Sequence, residues 1–176
     1  MQDMASNKLE QGGMRLSQLL LQRGVIVVRE TSHVGSQVGE RGDILLADAV
    51  THTIVGESKE TCHGIHLEHR DVDGDADFVV LIDHDELEGF LAAIDFILFA
   101  AGRSQVQAGV RTDIGFTTRD GGRLGFHQGE DGQRVWLSSC DPGETVYLPA
   151  NELGNLRKLV QDARTHLAGL MRSTIG

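Results

Sequence analysis

The sequence predicts an α+β protein of two ββββα halves, antiparallel sheets each covered by a helix. Three features point there. The stretch from Ile82 to Gly102 places Leu87, Phe90, Leu91, Ile94, Ile97, Leu98 and Ala101 at the three-four spacing of one helix face. Short β-branched or alternating segments, separated by glycine-bearing turns, stand before it and again after it. Finally, Val80-Leu81-Ile82 before Asp85-Glu86-Leu87 corresponds to Val146-Tyr147-Leu148 before Asn151-Glu152-Leu153. At that offset of 66 residues Phe90 matches Leu156 and Ile94 matches Val160.

Taken in order, residues 1–13 read as a disordered leader, lacking a basic-then-apolar signal pattern. Ser17 to Gln22 forms a short helix, capped by Ser17 and stopped by Gly24. Val25 to Val28 is a buried strand, and a polar loop runs from Thr31 to Gly42. Asp43 to Ile54, Thr61 to Arg70 and Ala76 to Ile82 are the next strands. Asp83 and Glu86 have capping-box spacing at the start of the first long helix, with Ile82 and Leu87 as its hydrophobic staple. Gly102 offers the helix its left-handed stop. This first half spans 14–103.

The second half, 104–176, begins with strict alternation. Val110, Thr112, Ile114, Phe116 and Thr118 interleave with Arg111, Asp113, Gly115, Thr117 and Arg119. Asp120-Gly121-Gly122, Asp131-Gly132 and Asp141-Pro142-Gly143 are the turns that separate Arg123 to Gln128, Gln133 to Ser139 and Glu144 to Leu148. A final helix starts near Pro149, with Leu153, Leu156, Val160, Ala163 and Leu167 on its apolar face. The halves are expected to form one compact unit.

This order of elements resembles the ββββα repeats of PUR-domain and Whirly-type single-strand nucleic-acid binders. The resemblance is one of topology and covers residues 25–171. It implies single-stranded nucleic acid as a partner. The chain has neither the lysine-rich tract of Whirly proteins nor the aromatic-plus-basic strand pattern of PUR repeats, so no functional residue transfers.

Charge argues against that partner. The net charge is −10, and residues 1–103 carry 18 acids against 8 bases, while residues 104–176 carry 8 of each. An acidic surface repels phosphates and anionic membrane alike. No apolar run approaches the ~20 residues of a membrane span. Cys62 and Cys140 have no metal-ligand spacing, which fits a reducing, cytoplasmic setting.

Few residues point to chemistry. Asp71, Asp73, Asp75 and Asp77 alternate around Gly74 as calcium loops do, but an EF-hand needs a carboxylate where Ile82 stands, so an acidic hairpin turn is expected. His63 and His69 share a strand face with Ile65 and Leu67, whereas His66 points the other way beside Glu68, so the three do not converge on a metal. Ser138, Ser139 and Cys140 lie at a strand end with no base beside them. No phosphate loop, dinucleotide fingerprint or nucleophile elbow is present, and no cofactor is expected.

The expectation is therefore a non-enzymatic interaction module that forms a homo-oligomer and binds a protein partner. Phe96 and Phe99 are the interface candidates, since the first long helix is apolar beyond one stripe. They pack either on the C-terminal helix or on a second copy. The alternative is a single-stranded nucleic-acid binder using Arg111, Arg119, Arg123, Arg134 and Trp136.

Overall fold

A computed structural model describes residues 16–39, 41–56, 60–103, 111–129, 132–140 and 144–173. The expected leader, 1–13, lies outside them. Helix α1 (Leu16–Leu20) precedes strands β1 (Ile26–Val38), β2 (Ile44–Val55), β3 (Thr61–Arg70) and β4 (Ala76–Asp83). A 3₁₀ turn, His84–Glu86, leads into α2 (Leu87–Gly102). The second half repeats the plan with β5 (Thr112–Thr117), β6 (Arg123–Gly129), β7 (Gly132–Ser138), β8 (Thr145–Leu148), a 3₁₀ turn at Ala150–Glu152 and α3 (Leu153–Ser173). Each half is a four-stranded antiparallel meander followed by a helix, and the two sheets are separate. Both long helices start 66 residues apart, at Leu87 and Leu153, as the internal correspondence requires.

The sheets are built by period-two burial. In the first, Leu45, Ala47 and Ala49 of β2 stand in register beside His69, Leu67 and Ile65 of β3, and these beside Phe78, Val80 and Ile82 of β4. All point to one face. Helix α3 packs on that face, against β1, β2 and β3. Gly35, Ala47 and Ala49 keep the backbone there low enough for Leu159 and its neighbours to approach; a Cβ at Gly35 would touch the Leu159 side chain. Meanwhile α2 meets the second sheet. Phe90 meets Phe116 of β5 edge to face at 5.6 Å, and the Gln133 side-chain amide of β7 donates to the Ala101 carbonyl. Each helix thus packs on the sheet of the other half. The two helices also touch each other, with Arg157 of α3 forked onto Asp95 of α2 (Nη2 to Oδ2, 3.0 Å) and holding that carboxyl below its usual range.

On the outer face of the first sheet, Leu16 and Leu19 of α1 are fully buried against Val50, Ile54 and Cys62. Gly64 lies beneath this contact, where a Cβ would overlap both the Leu16 side chain and the Ile82 carbonyl. No helix among the described residues is long and apolar enough to cross a membrane.

Four local expectations are corrected. Thr31 to Val38 is strand, not loop: β1 pairs with β2 through to Val38↔Ile44, with a bulge between His33 and Gly35. As a sheet edge it needs no apolar alternation on both faces. For the same reason Val25 to Val28 is not buried: Ile26 is 67% exposed and Val28 44%. Helix α1 covers Leu16–Leu20, so Ser17 lies inside it rather than capping it. The capping box is only half made. The Asp83 carboxylate caps nothing of its own turn, because it accepts from the Leu16 backbone N–H (3.1 Å) and faces Arg119 (3.6 Å). The Glu86 carboxylate does reach back to the Asp83 backbone N–H.

Candidate functional site

The second sheet has one face on the core and one open. Leu124, Phe126, Val135, Leu137 and Leu148 fill the inner face. By alternation, Arg123, Gly125 and His127 of β6, Arg134, Trp136 and Ser138 of β7, and Thr145 and Tyr147 of β8 share the outer one. One cross-strand row reads Gly115, Gly125, Trp136, Tyr147. The indole lies across Gly125, at which any Cβ would overlap it. That glycine is there because the ring occupies the space a side chain would take. Tyr147 stands next to it, 58% exposed, with Arg123 and Arg134 exposed in the flanking rows. His127 is held by Asp113, Nδ1 to Oδ1 at 2.7 Å.

Two clefts open on either side of Tyr147. One, of about 250 Å³, is lined by Arg123, Trp136, Ser139, Cys140 and Thr145. The other, of about 390 Å³, lies where the β1–β2 turn meets β7, β8 and the start of α3, and is lined by Arg41, Asp43, Gln133, Arg134 and Glu152.

The sequence-derived nucleic-acid candidates therefore divide. Arg123, Arg134 and Trp136 come together on the open face. Arg111, just before β5, is exposed. Arg119 is elsewhere, in the β5–β6 turn, committed to carboxylates of the first half. Its backbone N–H donates to Glu86 Oε1 (2.8 Å), and its guanidinium meets Asp85 and lies 3.6 Å from Asp83 and 3.5 Å from Glu86. Asp120 next to it bonds Ser17 of α1. Burial holds the Glu86 carboxyl above its usual range, partly offset by the backbone N–H groups of Arg119 and Asp83 and reinforced by the charges of Asp83 and Asp120. This junction ties β4, α1 and the second sheet together. Tyr147 was not singled out from sequence. The signal is present in the sequence, since two short strands joined near Gly132 pair in a register that lays Trp136 over Gly125 and Tyr147 beside it.

The interface candidates are both on the surface. Phe96 is 58% and Phe99 54% exposed, with the Arg103 guanidinium 4.1 Å above the Phe99 ring. Phe99 lies one turn from Asp95, which Arg157 of α3 holds, so the rings border the α2–α3 contact while keeping more than half of their surface open.

The remaining candidates are engaged locally. Asp71 Oδ1 accepts the N–H groups of Asp73 and Asp75 around Gly74 (φ +87°), a self-closed hairpin turn; the side chain of Asp77 lies outside the described residues. His69 stacks on Phe78 and bonds Asp43 (3.0 Å), and His63 bonds Thr51 (3.0 Å). On the other face, His33, Asp48 and His66 form a row, with burial keeping His66 below the usual histidine range. Among the described residues, no group of three or more His, Cys, Asp or Glu is placed to hold a metal ion. Burial pushes the Cys62 thiol up to about 11, so it stays protonated and unreactive.

No protein-family model matches this chain, and no curated protein does.

The junction yields a pH-dependent prediction. Arg119→Ala leaves Asp83 and Glu86 without their cation. It should cost about 2–3 kcal/mol at pH 7, less than a fully buried pair because about a quarter of the Arg119 side chain (27%) is exposed. Glu86 titrates above its unfolded value, so its proton favours the folded state, and that contribution fades as pH rises. The gap between variant and wild type should therefore narrow as pH falls toward 5. Urea titrations at both pH values check this; a pH-independent gap would contradict it.

Proposed function

We propose that this protein is a non-catalytic interaction module that pairs with a second copy of itself through the Phe96–Phe99 side of α2. The supporting observation is the exposure of two adjacent aromatic rings one helical turn apart on a helix whose Leu87, Phe90, Leu91, Ile94 and Ile97 already supply its buried face. Large rings left in water on one spot mark contacts, because surface hydrophobics are otherwise scattered singly. The flanking charges favour a second copy as the occupant. Glu88 and Arg103 lie near opposite ends of α2, both exposed and on the same side as the phenylalanines. Two α2 helices packed antiparallel about a two-fold axis near Phe96 bring each Arg103 to the partner's Glu88, a self-complementary arrangement.

Phe99→Glu should yield a folded monomer, because the ring it replaces is exposed, and should weaken association at least about thirtyfold, as loss of a central aromatic anchor does. Light scattering and circular dichroism read the two effects separately. A wild-type chain that stays monomeric at high micromolar concentration would overturn the reading.

A second reading rests on the open face of the second sheet. Trp136 and Tyr147 side by side, flanked by Arg123 and Arg134, form a stacking surface with two cations, the combination that holds a single strand through base faces and phosphates. Binding should quench the emission of Trp136, the only tryptophan. With two phosphate contacts the affinity should fall with salt at a log–log slope of about −1.4, and Arg134→Ala should reduce that slope by about 0.7. Unchanged emission with single-stranded oligonucleotides at low salt would end this reading.

A further inference from the structure

The larger cleft beside Tyr147 carries an inference beyond both readings. It is walled by parts of both halves: Arg41 and Asp43 from the β1–β2 connection, Arg134 from β7, Tyr147 from β8 and Glu152 from the turn before α3. Its charges are unequal in availability. The Asp43 carboxylate is bonded to His69 Nε2 at 3.0 Å, and Glu152 is buried, 6% exposed. Arg41 and Arg134 are both exposed, and neither forms an ion pair within the described residues. Two guanidinium groups from different elements are thus the exposed charges of this cleft, beside the Asp43 carboxylate engaged by His69 and the buried Glu152. They sit on a chain whose net charge is −10, where unpaired cations facing one cavity are not a by-product of composition.

We propose that this cleft binds a small ligand made of a planar ring and a phosphate monoester. Its phosphate would lie between Arg41 and Arg134 and its ring on Tyr147. A carboxylate satisfies one guanidinium fork. Two guanidinium groups lining one cleft from different elements suit a tetrahedral dianion, whose oxygens face in several directions. The phenol ring, more than half exposed at the cleft edge, presents an aromatic face beside these cations. A volume of about 390 Å³ falls in the range of small-molecule sites and suits a mononucleotide. Such a group occurs both as a free mononucleotide and as the phosphorylated end of a strand.

Calorimetric titration of the full chain with adenosine 5′-monophosphate and with phenyl phosphate tests the site. Both should bind with Kd below about 1 mM. Adenosine, benzoate and inorganic phosphate should each bind at least about tenfold more weakly, since each lacks the ring or the dianion. Arg41→Ala and Arg134→Ala should each cost about tenfold or more, Tyr147→Ala likewise, and Tyr147→Phe little, because it keeps the ring. Arg123→Ala, outside this cleft, should leave mononucleotide affinity unchanged while weakening single-strand binding; this separates the cleft from the stacking face. A 5′-phosphorylated oligonucleotide binding more tightly than its 5′-hydroxyl counterpart would assign the strand end as the source, and equal binding the free mononucleotide. No saturable binding of either phosphate ester would overturn the proposal. Equal affinity for adenosine and its monophosphate, or affinities indifferent to Arg41 and Arg134, would do the same.

Discussion

The inner face of the first sheet is covered by a helix that the chain does not make until Leu153. Ile65, Leu67, Ala47 and Ala49 lose all contact with water. Burying side chains of the Ile and Leu size is worth roughly 1.5–3 kcal/mol each. Much of that stabilisation is supplied by α3, the last element of the second half, and α2 repeats the exchange against β5 and β7. Each half therefore leaves the apolar face of its sheet to be covered by the helix of the other. The link is long-range: the Ser32 hydroxyl and His166 ring bond at 2.8 Å across 134 residues. Such separations make folding slow relative to a bundle of local contacts.

Charge closes what apolar packing begins. The first half carries the whole acidic excess, and three of its carboxylates, Asp83, Asp85 and Glu86, gather where β4 turns into α2. Close like charges repel and raise one another's proton affinity unless a cation intervenes. Arg119, reaching in from the β5–β6 turn, is that cation. The acids that look like a helix cap are in effect the docking point for the second half, while Asp120 and Ser17 add α1 to the same junction.

Much of the architecture is legible in the sequence because it depends on local pattern. Three-four spacing identifies both long helices, period-two alternation identifies β5, and glycine turns delimit β6, β7 and β8. The pattern shows too little of strand β1 because Thr31 to Val38 lies at an edge, where one side of the strand meets solvent and polar residues are tolerated. Pattern also states which face is buried without saying what covers it, so the helix exchange is not encoded in any local window. Asp83 and Glu86 show the same limit: their spacing fits a cap, yet Arg119 and Leu16, distant in sequence, claim Asp83. Within the open face, Arg123, Arg134 and Trp136 were legible as a group. Tyr147 follows from the β7–β8 register within the second half, whereas the Arg41–Arg134 cleft requires the two halves to be placed against each other.

The surfaces that remain uncovered follow from this scaffold. With both helices used on the inner faces, the outer face of the second sheet and the Phe96–Phe99 side of α2 are left open. All of this rests on the two halves being one cooperative unit. Equilibrium unfolding of the wild-type chain followed by two probes tests it directly. Trp136 emission reports the second sheet alone, and far-UV circular dichroism reports both halves. The exchanged helices require one transition, with the same midpoint and the same denaturant slope by either probe. Two separated transitions, with the second sheet melting while the first half stays folded, would contradict it.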